Sequence, residues 1–291
     1  MAKILVIVVT YNALKWVKKC IRSVEKSSLP ADLLLIDNGS TDGTLDLVRK
    51  EFPDTRILET GENLGFGAAN NLGLRIALDE GYGFAYLLNQ DAWLERDTLE
   101  KLVAAHKAEW GILSPMQLDA HGRRDKRFQK KCGKLIDAAL SGYHKDSLVV
   151  EVPFVMAAHW LVSRKAIETV GGFSPAFKQY GEDDNWIDRL HYHGLHCGVV
   201  PAAKAVHDRG KRRLPREKKM ELKCIATVVK VSDPNRSWHR MRIREVLELV
   251  GMGVKNFSAV PWHFIPELRA RFPELKAFRD ASKEKGAFLN G

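Results

Sequence analysis

The chain has 291 residues, 45% hydrophobic and 28% charged, which is the composition of a soluble globular protein with one large or two modest domains. Its net charge of +10 comes from one segment, since residues 204–244 contain fourteen Lys or Arg against four Asp or Glu. Four widely spaced cysteines and short apolar runs argue against a disulfide scaffold, a signal peptide and a transmembrane helix, so a cytoplasmic location is expected.

Strand and helix signals alternate through the first 115 residues. Continuous apolar runs predict buried strands at 4–9, 33–36, 56–59, 84–88 and 111–114. Segments with helical spacing lie between them, at 14–24, up to about residue 50, at 68–78 and at 97–107. This alternation predicts an α/β protein whose mostly parallel, Rossmann-like sheet is flanked by helices.

The pattern weakens over residues 117–150, a polar and basic region that we leave unassigned. It returns as a strand at 150–155, helices at 163–170 and 183–192, and a strand at 197–200. Beyond residue 210 a basic helical extension is expected, in which one helical face at 236–250 is apolar and another basic. The apolar positions are Ile243, Val246, Leu247 and Val250, and the basic ones are Arg236, Arg240 and Arg244.

Polar side chains follow four of the predicted strands. They are residues 10–12, Asp37, residues 63–71 and residues 89–91. Any one of these clusters alone is explained by a turn or a helix cap. Because ligands of open parallel sheets lie beyond the carboxyl ends of the strands, four such clusters together indicate a binding site.

Six segments, in order, resemble the successive motifs of family 2 glycosyltransferases with the GT-A fold. They are residues 6–12, 36–43, 63–71, 88–91, 171–173 and 180–183, and the resemblance extends over about residues 3–208. It implies an inverting enzyme that moves a sugar from a nucleotide diphosphate to a hydroxyl of a saccharide or lipid-linked acceptor. Segment 63–71 is similar to that of enzymes that use dTDP-rhamnose in bacterial surface polysaccharide synthesis, and a UDP-sugar donor remains open.

The resemblance divides the chain into three parts. Residues 1–115 form the nucleotide-sugar-binding half of the GT-A domain, residues 116–210 the acceptor-binding and catalytic half, and residues 211–291 the extension. Nucleotide contacts are expected from Thr10, Tyr11, Asn12, Asp37, Asn63, Gly65, Asn71 and Asn89. Asp37 matches the carboxylate that accepts the imide N–H of uracil or thymine. The alternatives are an Asx-turn at Asp37 and a helix N-cap at Asn63.

Residues 89–91 occupy the position of the family's DxD motif, but the first carboxylate is replaced by Asn89. The resemblance implies that Asp91 contacts a divalent cation that bridges the donor phosphates, and that His207 completes the metal site. Oxygen ligands suit Mg²⁺ or Mn²⁺, and the imidazole favours Mn²⁺.

An inverting transfer needs one base close to the acceptor hydroxyl. By resemblance Asp183 is this base and Glu182 positions the acceptor, although the adjacent Asp184 leaves a one-residue uncertainty in register. His159 and Trp160 are expected near the acceptor, where an indole could stack on a sugar. An ordinary core position for Trp160 is equally consistent with the sequence.

Three other functions are compatible with parts of the sequence. A sugar-phosphate nucleotidyltransferase would need a glycine-rich turn after the first strand, which residues 10–12 lack. A nucleic-acid-binding protein could use the basic segment 204–244, but the acidic strand ends would then repel phosphate, so no nucleic-acid partner is expected. A degenerate transferase that binds nucleotide without turnover is suggested by Asn89. We expect the basic segment to contact an anionic membrane surface instead.

Overall fold

The computed structural model describes residues 3–142, 149–210 and 214–289, which form one nine-stranded sheet with helices on both faces. The strands are β1 (Ile4–Thr10), β2 (Asp32–Asp37), β3 (Arg56–Glu59), β4 (Phe84–Asn89), β5 (Ala92–Leu94), β6 (Trp110–Leu118), β7 (Val150–Glu151), β8 (His159–Ser163) and β9 (His196–His207). The helices are α1 (Val17–Glu25), α2 (Thr44–Glu51), α3 (Phe66–Asp79), α4 (Thr98–Ala105), α5 (Lys126–Phe128), α6 (Lys134–Ser141), α7 (Arg164–Val170), α8 (Glu182–Tyr192), α9 (Arg216–Ser232), α10 (Trp238–Asn256), α11 (Val260–Ala270) and α12 (Phe272–Ala281). A π-helical segment, Gln129–Gly133, joins α5 to α6.

The sheet has the strand order β3-β2-β1-β4-β8-β6-β9-β5, and β7 pairs with β9. In the first half, β3, β2, β1 and β4 are all parallel, as the alternating strand and helix signals predict. The second half is mixed, because β8 runs antiparallel to both β4 and β6 while β6 and β9 are parallel. The α/β architecture thus agrees with the prediction, and the parallel arrangement is confined to the first half and the β6–β9 pair.

Successive residues of the central strands face opposite sides of the sheet, so each strand contributes to two cores. Leu5, Ile7 and Leu87 pack on one side against helices that include α3, α7 and α8. Val6 and Leu88 pack on the other side, against α1 and α4. Both faces are covered, which is why these strands are continuous apolar runs in the sequence.

Helices α9 to α12 form their own apolar core and close over the carboxyl edge of the sheet. Ala176 and Phe177, from the loop before α8, belong to this core, and the backbone N–H of Gly172 donates to Ala287 O at 2.8 Å. The extension is therefore packed against the sheet domain. The three predicted domain ranges stay a prediction, and the boundary at residue 210 adjoins residues 211–213, which lie outside the described residues.

The helix predicted at 236–250 is α10, and its apolar face points away from the protein. The side that packs inward carries Met241 and Leu249, whereas Ile243 is 60% and Leu247 is 63% exposed. Among the described residues, no helix is both long and apolar enough to cross a membrane.

Candidate active site

The predicted polar clusters converge at one edge of the sheet. Thr10 at the end of β1 lies opposite Asp37 at the end of β2, and Val9 lies opposite Asn89 at the end of β4. Three neighbouring parallel strands therefore end side by side, as the placement of ligand sites in open sheets predicts.

Two cavities open at this edge and meet. The first has a volume of about 770 Å³ and is lined by Tyr11, Asn63, Gly65 and Asp91 among others. The second has a volume of about 640 Å³ and is lined by residues that include Asp183 and His207. The two cavities share the residues Phe66, Asn89, Tyr180 and Ile225. Ligands in the two cavities would therefore meet beside Asn89.

Asp37 organises the turn after β2 rather than facing the first cavity. It is 1% exposed, and one carboxylate oxygen accepts from the Thr10 hydroxyl at 2.9 Å and from the Ser40 hydroxyl at 2.5 Å. The other oxygen accepts the backbone N–H groups of Gly39 and Ser40. Asp37 therefore forms the Asx-turn that was expected as the alternative to a nucleotide contact, and Thr10 is buried beside it. The side chain that lines the cavity here is the next one, Asn38.

Tyr11 and Asn12, which were predicted to contact nucleotide, both help to hold the loops beside the first cavity. Asn12 is left-handed (φ 52°) and accepts the N–H of Thr41 at 2.9 Å, so its amide holds the turn. Tyr11 lines the cavity, and its backbone exchanges two hydrogen bonds with the Gln90 side chain. These contacts fix the ends of β1 and β4 relative to each other.

Asn63 and Gly65 line the first cavity as predicted. Asn63 Oδ1 accepts the N–H of Gly65 at 2.9 Å, which starts α3. Gly65 has φ 86°, and a Cβ there would lie 2.6 Å from the carbonyl oxygen of Lys178. Only glycine fits this close approach.

Asn71, which was predicted to contact nucleotide, does not line either cavity. Its Oδ1 accepts the N–H of Phe173 at 2.6 Å, and its Nδ2 donates to the carbonyl oxygens of Phe173 and Phe288. The side chain thus joins α3 to the turn after α7 and to the C-terminal segment.

Asp91 and His207 lie together where the two cavities meet. The Asp91 carboxylate is 3.3 Å from His207 Nε2, because β5 carries Ala92 opposite His207 of β9. Burial alone would raise the pKa of Asp91, but the hydrogen bond and charge of His207 hold it below its usual value. The carboxylate is therefore ionised at neutral pH.

The donor atoms at this point fit a divalent cation. Asp91 and His207 offer an oxygen and a nitrogen, and the nearby Asn89 Oδ1 is buried without a hydrogen-bond partner. Within the described ranges, no group of three or more His, Cys, Asp or Glu is placed to hold a metal. Two protein ligands suffice when substrate phosphates and water supply the others, as is common for Mg²⁺.

Three adjacent carboxylates begin α8 at the second cavity. Gly181 adopts φ 92° before the helix, and Glu182, Asp183 and Asp184 occupy its first turn. Burial, and then the charges of Asp184 and Glu182, raise the pKa of Asp183 to about 8. Burial also raises the pKa values of Glu182 and Asp184. A carboxylate whose pKa lies near neutrality can exchange a proton with a substrate hydroxyl.

His159 and Trp160, which were predicted to contact an acceptor, lie in the core. Both are 0% exposed, because β8 lies in the middle of the sheet with both faces covered. His159 bonds to the Tyr86 hydroxyl at 3.0 Å and the carbonyl oxygen of Val206 at 3.1 Å. Burial and the charge of His207 lower the pKa of His159 to about 3, so this ring stays neutral.

Trp160 is a core residue, and its replacement tests that position. Its indole stacks on Phe173, packs against Trp186 and donates to the carbonyl oxygen of Val155 at 3.1 Å. We expect Trp160→Ala to lower the free energy of unfolding by about 3–5 kcal/mol in urea denaturation. Trp262→Ala, at a side chain 46% exposed, is the control and should cost less. A stable Trp160→Ala protein with only a raised acceptor KM would contradict the core position.

Arg209 was not predicted, yet it lies between the two groups of carboxylates. Its guanidinium is 3.4 Å from Asp125, and its charge acts on both Asp91 and Asp183. Burial lowers its pKa, and its Nε and Nη2 have no hydrogen-bond partner. A single arginine two residues after His207 carries no distinctive sequence signal, which is why it was missed.

The Asp91–His207 pair beyond the strand ends and the carboxylates in the first turn of α8 agree with the site expected of a transferase with the GT-A fold. The model of Glycosyl transferase family 2 matches residues 5–171. The chain belongs to this family and is a glycosyltransferase. The predicted family, fold class and sugar-transferring activity are thereby confirmed.

Similar proteins include two rhamnosyltransferases. The N-acetylglucosaminyl-diphospho-decaprenol L-rhamnosyltransferase of Mycobacterium tuberculosis is 26% identical over 273 residues, which cover 83% of this chain and 88% of that protein. The dTDP-rhamnosyl transferase RfbF of Shigella flexneri is 23% identical over 249 residues, with 83% and 78% coverage. Both alignments extend past the residues that the family model matches.

Solved structures show the same fold. The mannosyltransferase PcManGT from Pyrobaculum calidifontis, in complex with GDP-Man and Mn²⁺, has a TM-score of 0.57 at 19% identity and covers 97% of this chain and 74% of that one. S. aureus TarS 1-349 in complex with UDP-GlcNAc has a TM-score of 0.57 at 17% identity, with 88% and 74% coverage. The chain spans 41% of the longer TarS structure.

Proposed function

We propose that the protein is an inverting glycosyltransferase that moves a sugar from a dTDP- or UDP-sugar to a hydroxyl of a lipid-linked saccharide, in bacterial cell-surface polysaccharide synthesis. The observation that carries this proposal is the junction of two cavities, one beside Asp91 and the other beside Asp183. The rhamnosyltransferase relatives support the donor and the lipid-linked acceptor.

The reaction follows from the positions of a few side chains. Asp183 takes the proton of the acceptor hydroxyl, and Glu182 helps to orient that acceptor. Asp91 and His207 would hold a divalent cation, which neutralises charge on the donor diphosphate when it is bound. Arg209, with unpaired donors close to both groups, adds positive charge where the leaving group forms. One displacement with one base inverts the anomeric centre.

The base of the donor is contacted from the loops after β1 and β2. We assign Tyr11 to one side of the ring and Asn38 to its polar edge, because both line the first cavity. Asp37 shapes this turn from within through its four hydrogen bonds. The Asn38 amide is 2% exposed, donates one N–H to the carbonyl oxygen of Gly65 at 3.2 Å and accepts from the Thr60 hydroxyl at 3.4 Å. Its second N–H is the one that can donate to a ring carbonyl of uracil or thymine.

A thermal-shift panel tests the donor. With Mn²⁺ or Mg²⁺ present, dTDP or UDP at 100 times its Kd should stabilise the protein by about 2.7 kcal/mol. GDP and CDP at the same concentration should stabilise it less. Without metal the shift should shrink. Stronger stabilisation by GDP would refute the pyrimidine assignment.

We also propose that the C-terminal helices attach the enzyme peripherally to an anionic membrane from the cytoplasmic side. Ile243, Leu247 and Val254 follow one another at helical spacing along the exposed face of α10, and Phe257 after its end is 95% exposed. At 100° per residue, Arg240 and Arg244 flank this apolar stripe on one side and Arg242 on the other. An apolar stripe with basic flanks fits the interface of an anionic bilayer.

Liposome sedimentation tests this attachment. Vesicles with anionic lipid should recover most of the protein, and neutral vesicles should recover little. Leu247→Ser with Phe257→Ser should lower recovery by about tenfold, since these side chains bury apolar area in the interface. The control replaces Leu135, 44% exposed on α6 and away from the stripe, with serine. A dimer through α10, seen as a doubled mass in solution, would instead assign the stripe to a second copy.

A further inference from the structure

Within the part of the chain that the structure describes, three cations on the wall of the second cavity have no carboxylate partner. Arg127 of α5 and Lys130 and Lys131 of the π-helical segment line this cavity, and among the described residues none of them forms an ion pair. Neighbouring arginines that do not line it are paired: Arg123 with Asp119 at 3.0 Å, and Arg124 with Asp137. The cations of this segment that face the cavity are thus without a carboxylate partner among the described residues.

Each of the other Lys and Arg residues that line the same cavity lies beside a carboxylate. Arg209, the group assigned to the leaving diphosphate, is 3.4 Å from Asp125. Lys230 is 3.1 Å from a Glu245 carboxylate oxygen, and Arg236 is 2.7 Å from that of Asp233. Arg127, Lys130 and Lys131 are therefore, within the described part of the chain, the cavity cations without a carboxylate partner, and they can take an anionic ligand. They lie within five consecutive residues, and all three line the same cavity.

This basic group lies near the carboxylates that begin α8. The charge of Lys131 acts on Asp184, and the Lys131 ammonium is 4.6 Å from the centre of the Phe154 ring, which also lines the cavity. An anion held by the three cations would consequently lie within the same cavity as Asp183. A substrate whose hydroxyl lies at Asp183 would be bound by these cations only if it carries negative charge close to its sugar.

Another part of the cavity wall is apolar. Leu222, Ile225, Ala226 and Val229 of α9 line the cavity at helical spacing. The second cavity thus presents a carboxylate base, a cationic wall and an apolar wall to one ligand. That combination matches a sugar joined through phosphate to a hydrocarbon chain.

We propose that Arg127, Lys130 and Lys131 bind the diphosphate of a lipid-linked acceptor, while the α9 wall takes the first part of its hydrocarbon chain. This inference rests on the proposed function and adds the residues that select the acceptor. Arg127 can donate two parallel N–H bonds to phosphate oxygens, and the two lysines add point charges. A neutral glycoside with the same sugar would lack these contacts.

Binding of a short prenyl diphosphate tests the proposal without requiring turnover. The full chain is saturated with dTDP and Mn²⁺, which occupies the first cavity, and is titrated calorimetrically with geranyl diphosphate, geraniol or inorganic pyrophosphate. Geranyl diphosphate should bind at least about 30-fold more weakly to the triple variant Arg127→Gln, Lys130→Gln, Lys131→Gln than to the unaltered protein. The control Lys126→Gln with Lys134→Gln changes lysines of the same segment that do not line the cavity, and should bind within about twofold.

Two outcomes would overturn the proposal. Equal affinity of the triple variant for geranyl diphosphate would show that the three cations do not bind it. Equal affinity of pyrophosphate and geranyl diphosphate would remove the role of the α9 wall and leave a site for free phosphate. Failure of dTDP and UDP to bind in the separate panel would instead contradict the proposed function, so the two failures are distinguishable.

Discussion

Asp183→Asn is expected to lower kcat for sugar transfer by about 10²- to 10⁴-fold while the affinity for dTDP or UDP stays unchanged. The amide keeps the size of the side chain but cannot take the acceptor proton. Because Asp183 lines the second cavity and not the first, nucleotide binding should be independent of it. The measurements are steady-state kinetics with the transferred sugar as readout, and calorimetric titration of the nucleotide.

The pH dependence separates Asp183 from its neighbour Asp184. The pKa of Asp183 is raised to about 8, so the base is protonated below that pH and kcat/KM should fall about tenfold per unit as the medium becomes more acidic. The charge of Asp184 is one cause of this shift. Asp184→Asn should therefore retain activity and move the acidic limb of the pH profile to lower pH. Asp183→Asn should instead lose most of its activity at every pH.

The opposite pattern would change the assignment. Loss of transfer in Asp184→Asn with near-normal activity in Asp183→Asn would place the base one residue later in α8. Unchanged activity in both variants would leave α8 without a catalytic base. Normal nucleotide binding with no transfer in the unaltered protein, across donors and acceptors, would support a homologue that binds without turnover.

The first half of the fold was predictable because its strands are buried on both faces. The predicted bounds of β1, β2, β3 and β4 each lie within two residues of the observed ones, since a short continuous apolar run is typical of a buried strand. β5, with three residues, is too short to show any period. β9 was recognised only in part, because its second half includes an exposed Lys204 that interrupts the apolar run.

The sequence did not show in which direction a strand runs or whether it lies in the middle of the sheet. No strand was predicted at 159–163, and the resemblance alone placed His159 and Trp160 near the acceptor, so their position in an antiparallel strand between β4 and β6 was not foreseen. The position of the Asn71 amide could not be predicted for a similar reason. Its partners are backbone atoms at Phe173 and Phe288, more than 100 residues away. Polar residues near a motif were identified, but the direction in which they point depends on contacts far along the chain.

The helices at 126–141 illustrate a different limit. The segment is basic, and a π-helical turn at Gln129–Gly133 shifts its register, so it shows no steady helical period. The resemblance placed it in the acceptor-binding half at 116–210, but no role was predicted for any of its side chains. In the structure it supplies the cationic wall of the second cavity, and such π-turns are frequent at functional sites.

Asp91→Asn should remove most of the metal dependence of nucleotide binding and lower kcat by about 10²- to 10³-fold. The carboxylate supplies the only negative charge among the three side chains that face the cation position, since its neighbours are His207 and Asn89. Mn²⁺ titration by electron paramagnetic resonance, with dTDP present, measures the loss directly. Asp97→Asn, at an exposed residue paired with Lys101, is the control and should bind Mn²⁺ normally.

Asn89→Asp makes the complementary test, because it restores the first carboxylate of the DxD motif. Asn89 Oδ1 is buried without a partner where the two cavities meet, so a carboxylate there would face the cation together with Asp91. A second charged oxygen ligand should raise Mn²⁺ affinity by about tenfold, since ligand charge sets the affinity of hard cations. Unchanged or weaker Mn²⁺ binding in Asn89→Asp would contradict a cation position shared by residue 89, Asp91 and His207.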